Sequence, residues 1–301
     1  MIEILNVEKS FDAIQAVNSI SFDIKEGNVF GLIGTNGAGK STLLRMIAGV
    51  LKPDKGSITI DGLEVYKEAK TKELFFFIAD EPYFFQSATP ADLQRYYASV
   101  YPNFQTELFY KYLDTFELHR KRKVNTFSKG MKKQLALICG ICARTKYLIC
   151  DETFDGLDPV MRQAIKSIFA GEMEERGMVP IIASHNLREL EDICDHVGLI
   201  HKGGVLFSKE LEDMKCNIQK VQCVFVQESD YEQLEQCATI LQSRKQGRLH
   251  TITMRGNRED IIGLLEAYSM VFYEVLPLSL EEIFISETEV AGYDIQKLIL
   301  N

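Results

Sequence analysis

The sequence predicts an α/β protein, with a mixed, largely parallel sheet covered by helices and a small α+β domain behind it. Three observations lead there. Gly34-Thr35-Asn36-Gly37-Ala38-Gly39-Lys40-Ser41 fits the pattern G-x-x-x-x-G-K-[ST]. It stands between an apolar strand, 28–33, and a helix that brings Leu43, Leu44 and Ile47 to one face. Three further apolar strands, 147–150, 179–183 and 197–201, alternate with helical stretches, the order that builds a parallel sheet.

Taken in order, residues 2–7 and 20–24 alternate apolar and polar as half-buried strands do. Pro53-Asp54-Lys55-Gly56 reads as a turn, 57–60 as a strand ended by Asp61-Gly62, and 75–79 as a short buried strand. From Pro90 the pattern turns helical, with helices expected over 90–100, 105–116 and 129–143. Asp158-Pro159 opens another helix, with Asp as the cap and Pro at the first helical position. Beyond about Lys215 the expected elements are a strand at 221–226, a helix at 231–237, strands at 238–241 and 249–254, a helix at 257–268 and a strand at 271–276. That β-α-β-β-α-β order suggests a small ferredoxin-like domain over 216–301, after a first domain over 1–215.

Composition narrows the function. The 301 residues are 46% hydrophobic and 26% charged, ordinary for a globular protein. A net charge of −9 argues against nucleic acid as a partner of the whole surface. The one basic run, His119 to Lys123 followed by Lys129, Lys132 and Lys133, reads as a solvated helix end. No apolar run is long enough to span a bilayer, and the start lacks a secretion signal, so a cytoplasmic chain is expected, with any membrane contact indirect. Cys139 and Cys142 are spaced C-x-x-C inside an apolar helix with no second pair and no nearby histidine, which favours buried free thiols over a zinc or redox site.

The glycine-rich loop carries the chemistry. Successive backbone N–H groups at a helix N-terminus form a cradle for a polyphosphate. The glycines supply backbone angles and a close approach that a Cβ would block. Lys40 is placed to reach the β- and γ-phosphates of a nucleoside triphosphate, and the Ser41 hydroxyl, beside Thr42, to join a Mg²⁺ shell. A chance match in a chain of this length arises roughly once in a hundred. Downstream, Asp151 and Glu152 end an apolar strand as paired carboxylates: Asp151 suits a water-mediated Mg²⁺ contact, and Glu152 the attacking water.

At this point the chain resembles the nucleotide-binding subunit of ATP-binding cassette (ABC) transporters. Phe127-Ser128-Lys129-Gly130-Met131 occupies the place of the family's Leu-Ser-Gly-Gly-Gln signature, and Asp155-Gly156-Leu157-Asp158 that of its D-loop. Ser184-His185 looks like the switch-histidine segment, and Phe11 stands where the family places an aromatic that stacks on adenine. The resemblance covers about residues 1–215 and implies the family's P-loop fold: a parallel core, an antiparallel N-terminal sheet and a helical arm over about 82–145. It implies binding and hydrolysis of Mg-ATP, with Lys40, Glu152 and His185 as the catalytic set. It further implies a head-to-tail pair with a second ATPase subunit, so that Ser128, Gly130 and Asp158 of one copy meet the nucleotide held by the other.

Two departures stand out. Where the family expects a glutamine about forty residues after the loop, this chain has Asp80, whose carboxylate can also reach Mg²⁺. Lys129 and Met131 replace a glycine and the glutamine of the signature. Phe84, Phe85, Tyr96, Tyr97 and Tyr101 enrich the arm in aromatics, as its own core or as a groove for a membrane subunit. The phrase Leu276 to Phe284 resembles the tail of ATPases serving ABC-2-type exporters, often drug or antibiotic efflux systems. A soluble ABC ATPase that remodels ribosomes or nucleic acid, and a regulatory module with little turnover, are the alternatives. A single cassette without sustained heptads counts against the first.

Overall fold

A computed structural model describes residues 1–290. Two compact units follow one another, Met1–Ser208 and the chain from Lys209 onward. The first unit opens with the hairpin β1 (Ile2–Phe11) and β2 (Ile14–Ile24). Then β3 (Phe30–Ile33) leads through the glycine-rich loop into α1 (Lys40–Ile47), followed by β4 (Lys55–Ile60), β5 (Leu63–Glu64) and β6 (Phe75–Ile78). The arm contributes α2 (Pro90–Val100), α3 (Thr106–Thr115) and α4 (Lys129–Cys142). The unit closes with β7 (Tyr147–Asp151), α5 (Pro159–Arg176), β8 (Val179–Ser184), α6 (Leu187–Glu191), β9 (His196–His201) and β10 (Gly204–Glu210), whose end crosses into the second unit.

Two sheets result: an antiparallel one in the order β2-β1-β4-β5 and a six-stranded one in the order β10-β9-β3-β8-β7-β6. In the larger sheet β9, β3, β8, β7 and β6 are parallel neighbours. Every residue of β3, β7 and β8 is buried, as strands covered on both faces require, so these segments are apolar up to the C-terminal ends of β7 and β8, where Asp151 and Ser184 stand. One core joins the sheets: Ile2, Ile4, Ile20 and Ile60 of the antiparallel sheet pack with Leu43, Leu44 and Ile47 of α1 and with Ile149 and Ile181. At Gly56, φ is +78° and a Cβ would lie 2.3 Å from the Leu5 and Asn6 carbonyl oxygens, so only glycine lets β4 pair with β1 there.

The helix starts follow local chemistry. Thr89 and Asp92 form a reciprocal capping box ahead of Pro90. Ser128 Oγ accepts from the Met131 N–H at 3.2 Å to cap α4, and Asp158 Oδ1 from the Met161 N–H at 2.9 Å to cap α5. In the arm, Tyr97 and Tyr101 pack on Phe76 of β6, whereas Tyr83, Phe85 and Tyr96 form an exposed edge-to-face cluster.

In the second unit, α7 (Leu211–Asn217) leads into β11 (Ile218–Phe225), α8 (Glu228–Cys237), β12 (Ile240–Gln246), β13 (Leu249–Arg255), α9 (Arg258–Glu266), β14 (Met270–Leu276) and α10 (Leu280–Val290). The sheet is antiparallel in the order β12-β13-β11-β14. Val221, Cys223, Phe225, Ile252 and Met254 pack against Leu234 of α8 and Ile261 and Leu265 of α9. The unit begins at Lys209 rather than near 216, because α7 packs on β11.

Candidate nucleotide-binding site

The glycine-rich loop leaves β3 at Gly34 and closes on α1 at Lys40. At Gly39 φ is +106°, and a Cβ would sit 2.3 Å from the Ala16 carbonyl oxygen, so the loop folds tightly against β2 only with glycine there. Lys40 is buried and its ammonium turns back on the loop, donating to the Gly34 carbonyl at 2.7 Å and the Thr35 carbonyl at 3.3 Å. Its third neighbour is Glu152 Oε1 at 3.2 Å.

The end of β7 brings the paired carboxylates to this loop. Ser41 Oγ donates to Asp151 Oδ1 at 2.9 Å, while the buried Asp151 Oδ2 has no hydrogen-bond partner among the described residues. Burial pushes the Asp151 carboxyl above the usual carboxylate range; the Ser41 bond opposes this, and the nearby Glu152 charge adds to it. A hydroxyl and a carboxylate with one free oxygen form a donor set that could hold a hard divalent cation. Glu152 turns out of the strand with φ +49°, a left-handed backbone that non-glycine residues rarely adopt. Its Oε2 lies 2.7 Å from His185 Nδ1 and accepts from the His185 N–H at 3.3 Å.

A cavity of about 480 Å³ opens over these groups, lined by Asn36 to Thr42 with Asp80, Glu152 and His185. Thus the loop, Lys40, Ser41, Thr42, Asp80, Glu152 and His185 converge, and Asp151 lies beneath them through Ser41. Phe11 does not line this cavity: it is exposed, with Lys9 Nζ 5.6 Å from its ring centre, and the wall from that hairpin is Ile14, Gln15 and Ala16. Ser128, Gly130 and Asp158 also lie outside it, at the exposed or half-exposed starts of α4 and α5.

Sequence reasoning missed four lining residues, Ile14, Gln15, Ala16 and Lys202, the last in the β9–β10 turn; Asp155, read as part of the D-loop, lines the cavity as well. It also misjudged Lys133. Far from being part of a solvated helix end, Lys133 is fully buried, donating to the Glu152 carbonyl at 2.5 Å and to Asp80 Oδ1 at 3.2 Å. A signal was available: Lys133, Ala136, Leu137 and Gly140 fall at i, i+3, i+4 and i+7, the spacing of one buried helix face.

A strand, glycine loop and helix set against a second strand ending in paired carboxylates define a P-loop nucleoside triphosphatase. The sequence model of the family described as "ABC transporter" matches residues 17–155. Over 287 residues the chain is 29% identical to the ABC transporter ATP-binding protein YtrB of Bacillus subtilis, covering 95% of this chain and 98% of that one. It is 30% identical over 305 residues to the ABC transporter ATP-binding protein YhcH of the same organism, covering 98% of each. The bacitracin transport ATP-binding protein BcrA of Bacillus licheniformis is 29% identical over 218 residues, 71% of each chain. Among solved structures, an ATP-binding subunit of an ABC transporter superposes with a TM-score of 0.65 at 26% identity, over 71% of this chain and 92% of that one. The dimeric cassette MJ0796 bound to ADP and Pi shares the fold, with a TM-score of 0.64 at 20% identity over 70% and 99%.

The chain belongs to the ABC transporter family, as an ATP-binding and ATP-hydrolysing subunit. Membership implies pairing of two ATPase subunits and a membrane permease as partner. Among the described residues, no helix is long and apolar enough to cross a membrane.

Proposed function

We propose that this subunit powers export through a separate permease from the cytoplasmic, inner face of the membrane, by closing and opening a head-to-tail ATPase pair. The bacitracin transport subunit among its relatives and the exporter-like phrase at 276–284 support the direction. In this reading Gly34 to Thr42 cradle the phosphates and Lys40 meets the γ-phosphate. Ser41 and Asp151 hold Mg²⁺, and Asp80 offers the oxygen that Lys133 leaves free. The free Asp151 Oδ2 fits such an ion, which supplies charge neutralisation of the phosphate oxygens. Glu152 polarises the attacking water, and His185 stabilises the γ-phosphate while holding Glu152. Phe11 stacks on adenine at the open side.

Ser128, Gly130 and Asp158 complete the partner's site: α4 begins at the signature, and a 14-residue helix N-terminus favours an anion there. The exposed Tyr83, Phe85 and Tyr96 form the face that receives the permease, and the unit from Lys209 serves as an accessory domain. Transport is favoured over remodelling of ribosomes or nucleic acid because the relatives are transporter subunits.

The single observation that carries the catalytic reading is the Glu152 carboxylate bridging Lys40 and His185 at the phosphate loop. The test is Glu152→Gln with Mg-ATP on a sizing column. A stable, ATP-dependent dimer without turnover is expected; hydrolysis at the wild-type rate refutes the assignment.

A further inference from the structure

We propose that Lys133 is a positioning residue that ties Asp80 to the backbone of Glu152 and so aims the carboxylate that activates water. This rests on Glu152 having that role. The Lys133 side chain is 0% exposed, and a buried ammonium persists only where acceptors replace water. Its two acceptors belong to the site: the Glu152 carbonyl at 2.5 Å and Asp80 Oδ1 at 3.2 Å.

Glu152 needs such a tether. Its left-handed backbone is held at every polar point. The N–H donates to the Ala183 carbonyl at 2.9 Å, the carboxylate meets Lys40 and His185, and Lys133 takes the carbonyl. Without Lys133 the carbonyl loses the described donor that fixes the peptide plane, and the carboxylate swings with it. Asp80 sets where the ammonium sits. It follows β6 and is 47% exposed at the cavity, so it joins the open side of the site to the buried backbone of Glu152. The carboxylate that stands in place of the family's glutamine is thus matched by a buried cation on α4. Because Ser128 caps α4, one helix carries both the signature and this tether.

The test compares the full chain carrying Lys133→Met, Asp80→Asn, or both, with Glu152→Gln as reference. ATPase kcat, ADP affinity with Mg²⁺ and thermal stability are measured for each. For Lys133→Met the expected result is a kcat lowered by roughly tenfold or more, toward the ~100-fold that an ångström of misplacement costs, with ADP affinity held within about twofold. Asp80→Asn, at a partly exposed site that does not threaten folding, is expected to lower kcat several-fold in the wild-type background. In the Lys133→Met background, at Mg²⁺ high enough to saturate every variant, it should add less than about twofold, the signature of one shared interaction.

Wild-type kcat in Asp80→Asn, or additive effects of the two substitutions, overturns the inference. So does a loss of kcat and ADP affinity in equal proportion, which marks a merely structural lysine. If Glu152→Gln still turns over ATP, the reading of Glu152 fails first. If it does not, and the Lys133 and Asp80 variants turn over normally, only the tether fails.

Discussion

The carboxylate of Glu152 stands 3.2 Å from the ammonium of Lys40, the cation proposed to meet the γ-phosphate. On that proposal a protein anion occupies part of the place where the substrate anion binds, and ATP has to displace it. Glu152→Gln removes that competitor along with the proposed water-activating carboxylate. Besides loss of turnover, the variant should bind ATP at least about threefold more tightly, because removing one partner of a largely buried ion pair leaves the Lys40 ammonium free for the phosphate. Equilibrium dialysis with a non-hydrolysable ATP analogue checks this. Unchanged or weaker binding would show that the Lys40 contact does not compete with nucleotide.

Ser41→Ala separates metal from phosphate binding. The hydroxyl is the described donor to Asp151 Oδ1, and Oδ2 has none, so the substitution leaves a buried carboxylate reliant on an ion. The protein should lose about 1–3 kcal/mol of stability, as buried acceptors stripped of their donor do. The backbone cradle is untouched. ADP in the presence of a chelator should therefore bind as it does to the natural protein, while the gain in affinity on adding Mg²⁺ should largely disappear. Calorimetric titrations with and without Mg²⁺ measure both.

What the sequence made legible follows burial and periodicity. β3, β7 and β8, buried on both faces, announced themselves as apolar runs, and the cap at Asp158 placed its helix. The edges were harder to read. β12 runs through exposed Ser243, Arg244, Lys245 and Gln246, so no alternation marked its second half, and β10 also went unread. In the site, spacing exposed the loop and the paired carboxylates because their chemistry is local. Lys202 and Gln15 reach the cavity only through the pairing of distant strands. Lys133 was hidden by its neighbours: in a run of lysines, charge suggested solvent, and only the helix period showed which one turns inward.

The seven cysteines divide sharply. Cys139, Cys142, Cys150, Cys194 and Cys223 are buried, whereas Cys216 and Cys237 are exposed. Burial holds the Cys139 thiol well above its usual range and raises Cys223 to about 11, so neither offers thiolate at neutral pH. A thiol reagent at pH 8 should titrate Cys216 and Cys237 quickly in the native protein and all seven only after unfolding. Fast modification of Cys139 or Cys142, located by peptide mapping, would contradict the packing of α4.

Asp61 predicts how the first unit responds to acid. Its carboxylate accepts from the Met1 ammonium at 2.6 Å, the Tyr147 hydroxyl at 2.7 Å and Lys146 at 2.7 Å, tying the end of β4 to the start of β7. Burial alone would raise its pKa. The bonds from Lys146, the N-terminus and Tyr147 outweigh that and hold it at about 2, against 3.8 when unfolded. A depressed carboxylate stabilises the fold above the unfolded value and loses that contribution as pH falls through the folded one. Asp61→Asn should therefore cost about 1 kcal/mol at pH 7, allowing for solvent screening at a partly exposed site. The deficit should stay constant from pH 8 down to about 5, then shrink between about pH 4 and pH 2. Urea unfolding across that range reads it directly. A deficit that grows with acid would reverse the sign and remove Asp61 from the bonds that join the two sheets.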